Sequence, residues 1–348
     1  MHWDVYVRVI DNQGDIGVGW RLASDLAARG ETVRLLVDDA QALAWMAPRG
    51  APGVAVLPFD DASGEPGDVV IEAFGCELPA AVLDAMARRR VPPAWINLEY
   101  LSAEPYVARS HGLPSPVAAD RGLGKWFFFP GFDEDAGGLL REPGLLARRD
   151  RHDGRAWLAA RGWAAHEGER VASLFCYDAA PLRGWQSWLA AQPTLLLLTP
   201  GPAAELAAAH WLPSTTRTIA LPWLPQPAYD ELLWSCDLNF VRGEDSFVRA
   251  QWAARPFVWQ IYRQHDGVHA AKLEAFLDRL ARVADPADAA ALRGVFRQWN
   301  DLADAPPDWP SAAAWGRACR GWADRQAQVP DLVTQLQAFV RRHAGLAC

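Results

Sequence analysis

Two short segments of this 348-residue chain gather side chains of the kinds that move protons and hold anions. The first reads Asp11-Asn12-Gln13-Gly14-Asp15-Ile16-Gly17-Val18-Gly19-Trp20. Carboxylates at Asp11 and Asp15 suit a general base, or a clamp on a cationic group. The same residue types also serve structure, Asp15 as a helix cap and Asp11 in a turn. Asn12, Gly14 and Gly17 are further candidate contacts of this loop. Its glycines are spaced GxxGxG rather than GxGxxG, and its carboxylates crowd the place where a dinucleotide phosphate needs a bare helix start. A nicotinamide or flavin site is therefore a poor fit.

The second segment is Arg242-Gly243-Glu244-Asp245-Ser246-Phe247-Val248-Arg249, which follows an apolar run and opens a helical pattern. Backbone N–H groups at a helix start attract an anion, each for about 0.3–1 kcal/mol, and an arginine adds a charge-assisted hydrogen bond of about 1.5–3 kcal/mol. Arg242 to Ser246 thus read as a diphosphate cradle that needs no metal, with Glu244 and Asp245 capping the helix or holding sugar hydroxyls. Phe175, Tyr177 and Gln226 stand where strands are expected to end. An aromatic face and an amide suit stacking and hydrogen bonding to a pyrimidine base, and packing at a domain interface would use the same residues.

Such loops need strands and helices to hold them. Apolar patterning predicts a strand at 4–10, a helix at 17–29 and a strand at 32–37, a βαβ unit whose first turn is the Asp11–Asp15 loop. Further strands are expected at 68–71, 94–98 and 126–129, with a helix at 79–90 and a long Pro-rich loop at 102–123. The pattern restarts with strands at 170–176, 194–199, 216–221, 237–241 and 257–261, separated by helical segments. This alternation predicts α/β architecture with mostly parallel sheets and two domains, 1–165 and 166–328, with a last helix at 329–348 packing back on the first. Both candidate segments fall at carboxyl ends of strands, where open α/β sheets place ligands.

Composition excludes several classes. With 51% hydrophobic and 22% charged residues, and no apolar run of about 18, the chain has no bilayer-spanning signature. The start of the chain reads as a strand rather than a signal peptide, so a cytoplasmic location is expected. A net charge of −8 argues against a nucleic-acid partner and suits a basic one. The five cysteines are scattered singly, and His265 with His269 at i and i+4 lacks a third ligand nearby, so neither a disulfide framework nor a metal site is expected.

Taken in order, seven segments resemble one family, the EarP protein-arginine rhamnosyltransferases of bacterial translation elongation factor P. They are DNQGDIGVGWRLA at 11–23, WINLEYLSAEP at 95–105, HGLPSP at 111–116, KWFFFPGF at 125–132, FCYD at 175–178, LPQPAYD at 224–230 and RGEDSFVRAQWA at 242–253. The resemblance implies a GT-B fold, two facing Rossmann-like domains with an interdomain cleft, the first holding the acceptor protein and the second the donor. It implies inverting transfer of rhamnose from TDP-β-L-rhamnose to an arginine of elongation factor P, activating that factor for rescue of ribosomes stalled at polyproline, with no cofactor. Asp15 falls on the family's general base and Asp11 on its companion. Phe175, Tyr177, Gln226, Arg242, Gly243, Glu244, Asp245 and Ser246 fall on its donor-binding motifs. Ala179 departs from the family pattern, which carries asparagine there, and so alters one polar contact near the donor. A glycosyltransferase with another acceptor, a sugar-nucleotide epimerase and a non-catalytic adaptor of elongation factor P are the alternatives. An epimerase would convert the donor alone, and an adaptor would bind both partners without turnover.

Overall fold

The computed structural model describes residues 1–348 apart from 11–13, 62–63, 117–120, 211, 264–266, 304–307 and 344–348. The chain divides into two compact units, Met1–Pro143 with the C-terminal segment from Ala327, and Gly144–Gln326.

In the first unit the strands are β1 His2–Val7, β2 Thr32–Val37, β3 Val54–Pro58, β4 Val69–Ala73, β5 Ala94–Leu98, β6 Pro114–Ser115 and β7 Lys125–Phe128. They form one sheet in the order β3-β2-β1-β4-β5-β7-β6, parallel except for the short edge strand β6. Alternation along β1 divides its side chains between two cores. Trp3, Val5 and Val7 meet the helices Gly14–Ala28 and Leu332–His343 through Ile16, Leu22, Leu26, Leu336 and Phe339, whereas Tyr6 joins Val82 and Met86 of the helix Ala80–Arg88. Both faces are covered, which is why these strands read as nearly continuous apolar runs. Gly19 explains part of the glycine spacing: a Cβ there would stand 2.7 Å from Val7 Cγ2, so the helix can lie against β1 only with glycine at that position.

The second unit holds β8 Arg170–Leu174, β9 Thr194–Leu198, β10 Thr216–Ala220, β11 Leu238–Arg242 and β12 Phe257–Gln260, all parallel, in the order β10-β9-β8-β11-β12. This repeats the order of the first five strands of the other unit. In each, the first strand lies beside the fourth where the winding direction reverses, the place at which such sheets open a crevice at their carboxyl edge. The core is rich in indoles: Trp185, Trp252, Trp299 and Trp322 are nearly inaccessible, and Trp185 packs edge-on against Phe240 and Trp299.

The division falls at 143/144 rather than near 165. Residues around 148–155 have the charged composition of a linker, yet they form the helices Leu145–Asp150 and Gly154–Ala159 of the second unit. Gly154 lies so close to the helix Gln226–Ser235 that a Cβ would come within 2.7 Å of Ser235 Cα. His152 Nε2 meets Ser235 Oγ at 2.8 Å, and Trp157 Nε1 donates to Glu231 at 2.7 Å.

Candidate active site

Asp15 sits in the first turn of the helix Gly14–Ala28, which begins three residues earlier than the apolar pattern suggested and so takes in Gly14 and Gly17. The side chain is only 3% exposed. Its Oδ2 accepts from the backbone N–H of Ile10 at 2.9 Å, and its Oδ1 faces the Tyr100 hydroxyl at 3.3 Å. A carboxylate with a donor on each oxygen is held in one orientation at the carboxyl end of β1. The companion Asp11 and the candidate contact Asn12 lie outside the described residues. On the opposite face of this sheet, Glu72 of β4 is buried, accepting from Trp95 Nε1 at 3.1 Å, and lies 3.4 Å from Lys125 Nζ.

In the second unit, Phe175 and Tyr177 continue the line of β8, and Arg242 ends the neighbouring β11. Residues two apart on an extended chain face the same way. Both rings therefore reach the same guanidinium, whose central carbon lies 4.6 Å from the centroid of each. Gly243 follows with φ 64°, a left-handed turn that suits glycine, and its carbonyl accepts from Trp259 Nε1 at 2.8 Å. Ser246 Oγ accepts from the Arg242 N–H at 3.1 Å and donates to the Arg242 carbonyl, locking the turn. Glu244 occupies the N-cap of the helix Asp245–Ala253 without a side-chain capping bond, and Asp245 lies in its first turn. Cys176, between the two aromatic residues, is buried, and burial pushes its thiol up to about 12, so it stays neutral.

Gln226 opens the helix Gln226–Ser235 and is buried. Three residues on, Tyr229 meets Phe175 edge-on at 5.9 Å, which brings that helix to the aromatic pair. The helices that begin with Gln226 and Asp245 are clamped to each other by a buried bidentate pair, Arg249 Nε and Nη2 to the two Asp230 oxygens at 2.9 and 2.7 Å. The structure thus joins Phe175, Tyr177, Arg242, Gly243 and Ser246 directly and sets Gln226 beside them through its helix. It adds residues that spacing alone did not single out. Gln260 Oε1 accepts from the Tyr177 N–H at 2.8 Å, Tyr262 meets Tyr177 edge-on, and Tyr100 faces Asp15. Only their positions at or just after strand ends could have flagged them. Among the described residues, no group of three or more His, Cys, Asp or Glu could hold a metal ion; His265 lies outside them.

Among solved structures, the chain is similar to glycosyltransferase VinC in complex with DTDP, with 14% identity and a TM-score of 0.53 over 98% of this chain and 99% of that one. It is likewise similar to spinosyn rhamnosyltransferase SpnG complexed with spinosyn aglycone, with 15% identity and a TM-score of 0.53 over 97% and 99%. Fold and site together define a glycosyltransferase of GT-B fold. More particularly, residues 3–341 match the family of elongation factor P (EF-P) rhamnosyltransferases EarP, and the chain belongs to that family. The protein-arginine rhamnosyltransferase of Pseudomonas aeruginosa is 47% identical over 97% of this chain and 98% of that protein. That of Neisseria meningitidis serogroup B is 34% identical over 97% of each. A solved structure described as the structural basis for EarP-mediated arginine glycosylation of translation elongation factor EF-P is 34% identical, with a TM-score of 0.68 over 98% of this chain and 99% of that one.

Proposed function

We propose that this chain transfers rhamnose from TDP-β-L-rhamnose to an arginine side chain of translation elongation factor P, in the cytoplasm and without a metal, and so activates that factor for ribosomes stalled at polyproline. The first unit receives the acceptor protein and the second holds the donor. An arginine guanidinium, with a pKa above about 12, lacks a useful lone pair at neutral pH, so a carboxylate must assist it. Asp15 orients the guanidinium and accepts a proton as one nitrogen bonds to the anomeric carbon, with Asp11 as its companion. The bond from that carbon to the diphosphate oxygen breaks on the opposite face, and a single displacement of this kind inverts the centre. Arg242, the Ser246 turn and the amides opening the helix Asp245–Ala253 take up the charge of the departing TDP. Phe175, Tyr177 and Gln226 hold its base.

The observation that carries this reading is the anchored, buried carboxylate of Asp15 at a strand end in a chain of this family. General-base assistance is worth about 10²- to 10⁴-fold. Asp15→Asn should lose turnover by that order while TDP affinity in calorimetric titration stays near wild type; near-normal turnover would rule Asp15 out as the base.

A further inference from the structure

We propose that Tyr100 is the positioning residue of Asp15, held in place by the strained backbone at Phe74; this rests on the reading of Asp15 as the base. Three strand ends converge on the carboxylate. From the end of β1, the Ile10 N–H takes Oδ2 at 2.9 Å; from beyond β5, the Tyr100 hydroxyl faces Oδ1 at 3.3 Å. From the end of β4 comes Phe74, whose ring lies flat under that of Tyr100, with centroids 4.4 Å apart and planes 16° from parallel.

Phe74 has φ 59°, followed by Gly75 at 66° and Glu77 at 50°. A left-handed backbone at a residue with a bulky side chain is disfavoured and persists only where its surroundings over-determine it. Here the Phe74 N–H donates to the Leu98 carbonyl at 2.7 Å, and the side chain is buried in the core beneath helix Gly14–Ala28. The unusual backbone therefore sets the height and tilt of the surface on which Tyr100 rests, at the crevice between β1 and β4. Tyr100 is 36% exposed, so part of it borders solvent.

A hydroxyl donating to a carboxylate fixes which of its lone pairs point outward. In the transfer, Asp15 takes the proton from the attacking nitrogen as the N–C bond forms, and the electron pair of the breaking C–O bond leaves with TDP. Tyr100 donates its hydrogen bond throughout and transfers no proton.

Tyr100→Phe keeps the stacked ring and removes only the hydroxyl, which makes a double-mutant cycle with Asp15→Asn the direct test. Steady-state transfer is followed by mass spectrometry of elongation factor P with TDP-rhamnose. The expected result is a loss of about tenfold in kcat for Tyr100→Phe, with KM for both substrates and the melting temperature unchanged, and no further loss when it is added to Asp15→Asn. Wild-type kcat in Tyr100→Phe, or an equal loss in both backgrounds, overturns the role of Tyr100 and leaves Asp15 standing as the base. Wild-type turnover in Asp15→Asn overturns the base assignment and this proposal with it.

Discussion

At the scale of single residues, the candidate groups of the two units are held in different ways. Asp15 is held by donors aimed at its oxygens, whereas Arg242 is held by the faces of two rings and is only half-buried. Cation–π contacts are worth about 0.5–1 kcal/mol each where exposed, enough to bias a long side chain without immobilising it. Such an arginine can shift to meet a diphosphate. Elsewhere, residue-level electrostatics serve stability. Glu169, nearly buried just before β8, takes Arg217 of β10 in a bidentate pair at 2.7 and 3.1 Å, which holds its carboxyl below the ordinary value of 4.5. A carboxyl whose pKa falls on folding adds stability above its unfolded pKa and loses it as pH drops through the folded one. The melting temperature of the wild type should therefore fall more steeply on acidification below pH 4.5 than that of Glu169→Gln, which starts lower at neutral pH. Parallel melting curves for the two proteins would contradict this.

At the scale of elements, the proposed donor side depends on two helix starts being fixed relative to β8 and β11, and Arg249–Asp230 is the clamp between them. Removing one partner of a buried ion pair typically costs about 3–5 kcal/mol, because the other charge is left uncompensated. Arg249→Met should lower the urea midpoint accordingly, and Arg249→Met combined with Asp230→Leu should recover much of it; an unchanged midpoint in the single variant would show that the clamp is not needed. Most strands that position the site were legible in the sequence, because strands covered on both faces are apolar throughout. The edge strand β3 was not: only Val54 and Leu57 of its residues are even partly buried, and it ends in proline. In the Pro-rich stretch 102–123 the structure has a helical turn, Tyr106–Ser110, and the two-residue strand β6, which pairs with β7 through Ser115 and Lys125. Those pieces are held by long-range contacts such as the Phe129 N–H to His111 Nδ1 at 3.1 Å, which leave no periodic trace. Burial also holds His111 below its ordinary pKa, consistent with a neutral acceptor nitrogen there. The boundary near 143 was hidden for a related reason, since an arginine-rich composition says nothing of the glycine contact that binds 154 to the second unit. The contact between Tyr100 and Asp15, 85 residues apart, is of the same kind.

At the scale of the whole molecule, one strand order occurs twice, and the two copies carry different chemistry at equivalent places: a carboxylate after β1, a cation and aromatic rings after β8 and β11. The last helix, Leu332–His343, returns to the first unit, where Arg29 binds Asp331 and Thr334 at 2.7 Å each, so the helix bearing Asp15 is tied to the end of the chain. If the units divide the substrates as proposed, their binding should separate by mutation. Losing a charge-assisted hydrogen bond of about 1.5–3 kcal/mol, Arg242→Ala should weaken TDP binding by about 10- to 100-fold and leave affinity for elongation factor P unchanged. Calorimetric titration with each partner reads both, and an equal loss for both would argue against the division.

The most direct measurement is peptide-level mass spectrometry of elongation factor P incubated with this protein and TDP-rhamnose. The account predicts a gain of one deoxyhexose on a single arginine, dependent on Asp15. An unmodified acceptor in the presence of bound donor, or conversion of the donor without any acceptor, would contradict it.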